Sequence, residues 1–243
     1  MPNKNIDNNP DDISLEDDNI SDSILDDIVY MSDNIDTESL KKAYSTGIFP
    51  WPEDDNMPVL WFCPNPRGIL KTENFHLSRS LKKSIRRNTF TFTTDMHFDA
   101  VIDHCSLLKR KGEPGTWITE NTIQAYRQFH KEGYAHSLEI FCGNKLAGGL
   151  YGVFINNVFS GESMFHLQKD TSKIALAVLV KLLEKSGIKW IDTQMLTPVI
   201  ESLGGELVSR KNYLNMLKQS QRNKTIQWPS IQQHLLVSTM LNI

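Results

Sequence analysis

Four polar side chains stand where apolar neighbours would bury them. Glu139 lies in Ala135-His136-Ser137-Leu138-Glu139-Ile140, and Glu162 in Phe159-Ser160-Gly161-Glu162-Ser163-Met164-Phe165. Asp192 and Gln194 close Ile191-Asp192-Thr193-Gln194. Burying such groups without partners is costly, so they either satisfy one another or do chemistry. On a strand, period-two alternation predicts Asp192 and Gln194 on one face and Ile191 and Thr193 on the other.

A second chemical feature is cationic. Arg79, Lys82, Lys83, Arg86 and Arg87 recur at helical spacing after Ser78, a plausible N-cap, with Leu81 and Ile85 on another face. Five cations without an interleaved acid repel one another. The face is either solvated or a seat for phosphates, which bind by counterion displacement and read no bases. Trp117 is placed either to stack a base or to be buried, and Trp51 either to anchor or to border a pocket.

The elements that position these groups follow in order. Residues 1–27 are read as a disordered acidic leader, 28–71 as a small N-terminal domain, 72–218 as the catalytic domain and 219–243 as a tail without an assignment. Residues 1–40 carry 12 Asp/Glu and one Lys, whereas 41–243 carry 25 Lys/Arg against 17 Asp/Glu, so the body is basic. Asp36 or Thr37 caps a helix through Tyr44, with Gly47 beyond it. The prolines of Gly47-Ile48-Phe49-Pro50-Trp51-Pro52 forbid a helix and predict an irregular subdomain. Strands are expected at Arg67–Lys71 and Thr89–Thr94, and helices over Phe98–Leu108 and from Thr119 or Asn121 to Lys131. Ala135–Phe165 gives two or three antiparallel strands, turning at Asn156-Asn157. Then come a helix over Ser172–Ser186, a strand over Lys189–Thr193, another at Glu206–Ser209 and a last helix at Tyr213–Leu217. A hairpin, a helix and a parallel partner strand make a mixed α/β (α+β) fold on the N-acetyltransferase-like plan.

Three widely spaced cysteines, Cys63, Cys105 and Cys142, suggest neither a zinc site nor a disulfide framework. The longest apolar run, Ile174–Val180, is too short to span a bilayer. The start lacks a signal-peptide pattern, so a cytoplasmic protein without a membrane partner is expected.

The chain resembles the leucyl/phenylalanyl-tRNA–protein transferase family over about residues 36–217. The resemblance is carried by Tyr44 with Gly47-Ile48-Phe49-Pro50-Trp51, by Leu60-Trp61 with Pro64-Asn65-Pro66-Arg67, and by His76 with Ser78-Arg79-Ser80-Leu81. Thr116-Trp117-Ile118, Ala135-His136-Ser137-Leu138-Glu139, Gly148-Gly149-Leu150-Tyr151-Gly152, Gly161-Glu162-Ser163-Met164-Phe165, Ser172-Lys173, Ile191-Asp192-Thr193-Gln194 and Ser202-Leu203-Gly204 continue the series. It implies a small N-terminal domain packed on an acetyltransferase-like domain. The activity implied is transfer of Leu or Phe from aminoacyl-tRNA to the N-terminal amine of proteins starting with Lys or Arg, creating a degradation signal. No metal or coenzyme is implied, and a monomer is expected.

By the same resemblance Asp192 and Gln194 lie at the reacting amine, with Asp192 orienting Gln194, and Glu162 pairs with the acceptor N-terminus. Leu150, Phe159, Met164, Leu176, Leu179, Leu183 and Ile191 would line the amino-acid pocket. Trp117 would stack the terminal adenine while Trp51 and Tyr44 close the mouth. Arg79, Lys82, Lys83, Arg86 and Arg87 would hold the tRNA backbone. Two departures from the family pattern stand out: Val199 where a His is usual, and aliphatic Leu179 and Leu183 where aromatic residues are frequent. Two competing readings are a coenzyme-A-dependent acetyltransferase and a non-catalytic RNA-binding module. The first lacks a Gly-rich turn at Gln168-Lys169-Asp170-Thr171-Ser172. The second leaves Asp192 and Gln194 without a task.

Overall fold

The structure is a computed structural model that describes residues 27–108 and 117–243. The expected acidic leader lies outside the described residues except for Asp27. That residue belongs to the folded body: its carboxylate accepts from Arg210 Nη2 and from the Asn65 amide, each at 3.0 Å.

The N-terminal part is more regular than its prolines suggest. Strand β1 (Ile28–Ser32), helix α1 (Thr37–Thr46), β2 (Phe49–Trp51) and β3 (Val59–Phe62) form a three-stranded antiparallel sheet, order β1-β3-β2, with one helix. Pro50 is tolerated because β2 is an edge strand, where a missing N–H breaks no ladder. Asp36 caps α1 with a capping box to Ser39, and Gly47 ends it at φ 86°.

The remaining strands build one sheet. They are β4 (Arg67–Lys71), β5 (Phe90–Thr94), β6 (Ala135–Cys142), β7 (Lys145–Ile155), β8 (Val158–His166), β9 (Trp190–Gln194), β10 (Glu206–Val208) and β11 (Leu235–Leu236). Their order is β10-β4-β9-β8-β7-β6-β5-β11. Thus β4, at the end of the stretch assigned to the small N-terminal domain, is hydrogen-bonded into the large sheet between β9 and β10. All pairings are antiparallel except β8 with β9, which helix α5 (Thr171–Lys185) connects. That is the hairpin–helix–parallel-strand arrangement of an acetyltransferase-like domain. Asn156 and Asn157, at φ 54° and 63°, make the two-residue turn between β7 and β8.

Both faces of the sheet are covered, which is why β7 reads as an almost continuous apolar run. Tyr151, Val153 and Ile155 of β7 face one core, shared with α1, the small sheet, α3 (Phe98–Ser106) and α4 (Glu120–Lys131). Leu150 and Phe154 face the other, shared with α5 and α2 (Arg79–Arg87). A short helix, α6 (Pro198–Glu201), follows β9. Helix α7 (Arg210–Arg222) packs Tyr213 and Leu217 against Ile69 and Trp190.

The tail left unassigned at 219–243 is built into the domain. Helix α7 runs to Arg222, not Leu217, and the Asn157 side chain donates to Ser220 O and accepts from Ile226 N. Trp228 stacks on His136 and Phe159, β11 extends the sheet beside β5, and α8 (Val237–Leu241) joins the core under α5.

Candidate active site

The site lies where the sheet opens. Strands β8 and β9 pair at Phe159↔Ile191 and Ser160↔Asp192 only. Beyond these pairs a cavity of about 550 Å³ separates Gly161, Glu162, Ser163 and Met164 from Thr193, Gln194 and Met195. Leu150, Phe159, Leu176, Leu179 and Ile191 form an apolar end. Phe49, Trp51, Leu108 and Trp117, which belong to the other core, form another wall with Pro50. Thr197, Val199 and Ile200 also line the cavity. Mostly apolar walls with few polar groups are the usual make-up of a small-molecule site.

Two local irregularities aim the polar groups. The β7–β8 register passes from Gly152↔Gly161 to Tyr151↔Ser163, so Glu162 is the extra residue of a bulge. The bulge flips the parity of β8: Phe159 and Met164, an odd number of residues apart, both line the cavity. It also needs Gly152, where a Cβ would lie 2.3 Å from Ser160 O and 2.5 Å from the Phe159 ring. The second irregularity is Gln194, at φ 61°, with Met195 N donating to Thr193 O at 2.6 Å. This is a γ-turn with positive φ, a conformation that costs a non-glycine residue about 1–3 kcal/mol.

That turn corrects the expected alternation. Ile191 and Thr193 line the cavity, Asp192 does not, and Gln194 is turned out of step to line it as well. Its Nε2 donates to Glu162 Oε1 at 2.7 Å, which leaves the amide oxygen uncommitted to that pair.

Glu162 is nearly buried and, among the described residues, receives only neutral donors. Tyr44 Oη donates to Oε1 at 2.7 Å and Tyr126 Oη to Oε2 at 3.2 Å, and the two hydroxyls are 2.5 Å apart. Burial pushes the Glu162 carboxyl up to about 7, against the lowering pull of the tyrosine and Gln194 hydrogen bonds. Tyr44 is therefore not at the mouth. It is buried behind Glu162 and outside the cavity lining, not at the edge where the resemblance placed it.

Asp192 is wholly buried and its acceptor capacity is taken. Arg67 grips it with Nε to Oδ1 at 2.9 Å and Nη2 to Oδ2 at 2.7 Å. Tyr213 Oη and Ser160 Oγ donate to Oδ2 at 3.0 and 3.1 Å, and the Gln194 backbone N–H donates to Oδ1 at 2.9 Å. Asp192 thus meets Gln194 through its backbone N–H and, unlike Gln194, does not line the cavity.

Of the seven expected pocket residues, Leu150, Phe159, Met164, Leu176, Leu179 and Ile191 line the cavity. Leu183 does not; it is core, one turn further along α5. Trp51 and Trp117 both line the cavity. Arg79, Lys82, Lys83, Arg86 and Arg87 are all exposed along α2, held by Leu81 and Ile85, with Ser78 as N-cap. None of the five forms an ion pair among the described residues. Tyr126, Tyr213, Ser160 and the partnership of Arg67 were missed. A lone Arg opening the apolar strand Arg67-Gly68-Ile69-Leu70 was the available signal, because such a guanidinium requires a buried acid. Among the described residues no group of three potential ligands could hold a metal, and no helix is long and apolar enough to cross a membrane.

Comparison with known proteins identifies the family. The profile of the leucyl/phenylalanyl-tRNA protein transferase family matches residues 69–218, and that of the family's N-terminal domain matches 33–65. A leucyl/phenylalanyl-tRNA–protein transferase of Hydrogenovibrio crunogenus is 45% identical over 194 residues, 80% of this chain and 75% of that protein. Those of Shewanella loihica and Legionella pneumophila are each 46% identical over 179 residues, 74% of this chain and 75% and 79% of theirs. Among solved structures, L-PGS from Bacillus licheniformis superposes with a TM-score of 0.38 at 14% identity, covering 67% of this chain and 51% of that one. By its matches over both parts, the chain belongs to the leucyl/phenylalanyl-tRNA protein transferase family and is an aminoacyltransferase.

Proposed function

We propose that this enzyme transfers Leu or Phe from aminoacyl-tRNA to the N-terminal amine of proteins beginning with Lys or Arg, and that the new N-terminus acts as a degradation signal. The observation that carries the reading is the cavity: an apolar end beside a carboxyl and a turned-out amide. The apolar end takes the Leu or Phe side chain. Trp51 and Trp117 bracket the donor's terminal adenosine, and the α2 cations hold the acceptor stem by its phosphates.

The aminoacyl ester is already activated, so no protein nucleophile is needed. The acceptor amine attacks the ester carbonyl; the C–N bond forms, the C–O bond to the ribose breaks, and the ribose hydroxyl leaves with a proton. Gln194 positions the amine through its amide oxygen, which is the role of a weak base held in place. Glu162, at about 7, is close to the α-amine's ordinary value of about 7.7–8. As a carboxylate it attracts the incoming ammonium and can share its proton. In this reading the enzyme works as a monomer in the cytoplasm.

The test is transfer of radiolabelled Leu and Phe from charged tRNA to a protein with N-terminal Arg, beside one with N-terminal Glu. Label on the Arg protein alone is expected. Label on neither, with charged tRNA still bound, would leave an RNA-binding protein and contradict the proposal.

A further inference from the structure

We propose that Arg67 is a positioning residue for the transfer step: through Asp192 it holds the Gln194 turn in the shape the reaction uses. The inference rests on the reading of function above. Arg67 opens β4 in the interior of the large sheet and is 1% exposed. Its guanidinium lies between two rings, 4.7 Å from the Phe49 centroid and 4.4 Å from that of Tyr213. Phe49 is itself a cavity wall. The plane of the guanidinium is thus fixed by packing before its hydrogen bonds are counted. Two of those bonds meet both oxygens of Asp192, which fixes the carboxylate plane as well.

From there the line to the cavity is short. Asp192 Oδ1 accepts the backbone N–H of Gln194, the residue in the unfavourable left-handed conformation. The next residue of β4 supports the same turn from its other side. Gly68 pairs with Gln194, and a Cβ on it would lie 2.5 Å from the Met195 carbonyl carbon. Arg67 and Gly68 therefore grip the turn together, one through Asp192 and one by close backbone approach. Burial alone would disfavour the guanidinium charge; the Asp192 carboxylate, together with Tyr213 and Cys63, more than offsets it. The charge balance of the pair is a matter of stability. The fork and the plane are a matter of aim, and lysine supplies the first without the second.

The experiment is steady-state transfer by Arg67→Lys, alone and in a Gln194→Ala background. Arg67→Lys is expected to lower kcat by about 10–50-fold, as a small misplacement of a positioned group does. KM for charged tRNA and for the acceptor protein stays within about two-fold, since the cavity walls are intact. In the Gln194→Ala background the same substitution costs less than about two-fold, because the group it aims is gone. An unchanged kcat, or an equal loss in both backgrounds, would overturn the proposal. Should Arg67→Lys fold poorly, Tyr213→Phe keeps the ring on the guanidinium and removes one donor from Asp192. Its expected effect is a roughly three-fold lower kcat at constant KM, and no change would overturn the proposal equally. Absence of transfer by the unmodified enzyme would instead overturn the reading of function on which it stands.

Discussion

Glu162 and Asp192 sit on neighbouring strands, both carboxyls nearly or wholly buried, and the protein treats them in opposite ways. Asp192 meets a guanidinium, two hydroxyls and a backbone amide, which saturate it. Glu162 meets only neutral donors and opens on the cavity. One carboxyl is fixed as structure; the other is kept able to change its proton and its partner. The difference teaches that burial alone does not fix what a carboxyl in this site can do. What marks it is the partner that burial supplies.

The largest effect that separates the two concerns stability. Asp192→Ala leaves Arg67 buried without its counter-charge and is expected to cost about 3–5 kcal/mol by denaturant unfolding. Glu162→Gln removes no counter-charge and is expected to change stability by about 1 kcal/mol or less. Equal losses would erase the distinction.

A similar contrast runs along α5. Leu183→Ala empties core and is expected to cost about 2–5 kcal/mol without altering the ratio of Leu to Phe transferred. Leu179→Ala enlarges the cavity and shifts that ratio toward Phe. A change of ratio in Leu183→Ala would return that residue to the pocket.

The next effect is pH dependence. Below about 7 Glu162 holds its proton and loses the charge that attracts an ammonium, so kcat/KM for the acceptor rises as pH passes upward through that value. Glu162→Gln abolishes this limb and leaves only the deprotonation of the acceptor amine. Stability has the opposite sign. The raised carboxyl binds its proton more tightly in the folded than in the unfolded chain, so stability falls as pH rises from about 4.5 to about 7. Glu162→Gln flattens that slope.

The smallest effect tests the surface. Replacing Lys82, Lys83 and Arg86 by Ala lowers the slope of log affinity against log salt by roughly 2–3 for charged tRNA. Single-turnover transfer at saturation stays unchanged. A fall in the saturated rate would tie α2 to the chemistry.

Much of the fold was legible locally. Asp36, Ser78 and Thr119 are caps that declare helices, Asn156-Asn157 declares a hairpin, and the α5 run declares a buried helix. The site was legible only as a set of residue types. Asp192 and Arg67 are 125 positions apart, so no spacing rule joins them. The bulge at Glu162 and the positive φ of Gln194 come from tertiary packing around Gly152 and Gly68, and each reverses the facing that alternation predicts. Leu179 and Leu183 share one apolar helix face, and periodicity cannot say which of them meets a void. The last 25 residues carry weak local signals because their order depends on Trp228 stacking against His136 and Phe159.

If the cavity between β8 and β9 is the place of transfer, with Gln194 aimed at the reacting amine, removing the Gln194 side chain slows the chemical step. Single-turnover transfer of Leu from charged tRNA, comparing the unmodified enzyme with Gln194→Ala at saturating substrate, tests it most directly. The rate is expected to fall by about 100-fold with charged-tRNA affinity unchanged. An undiminished rate would place the chemistry elsewhere and contradict it.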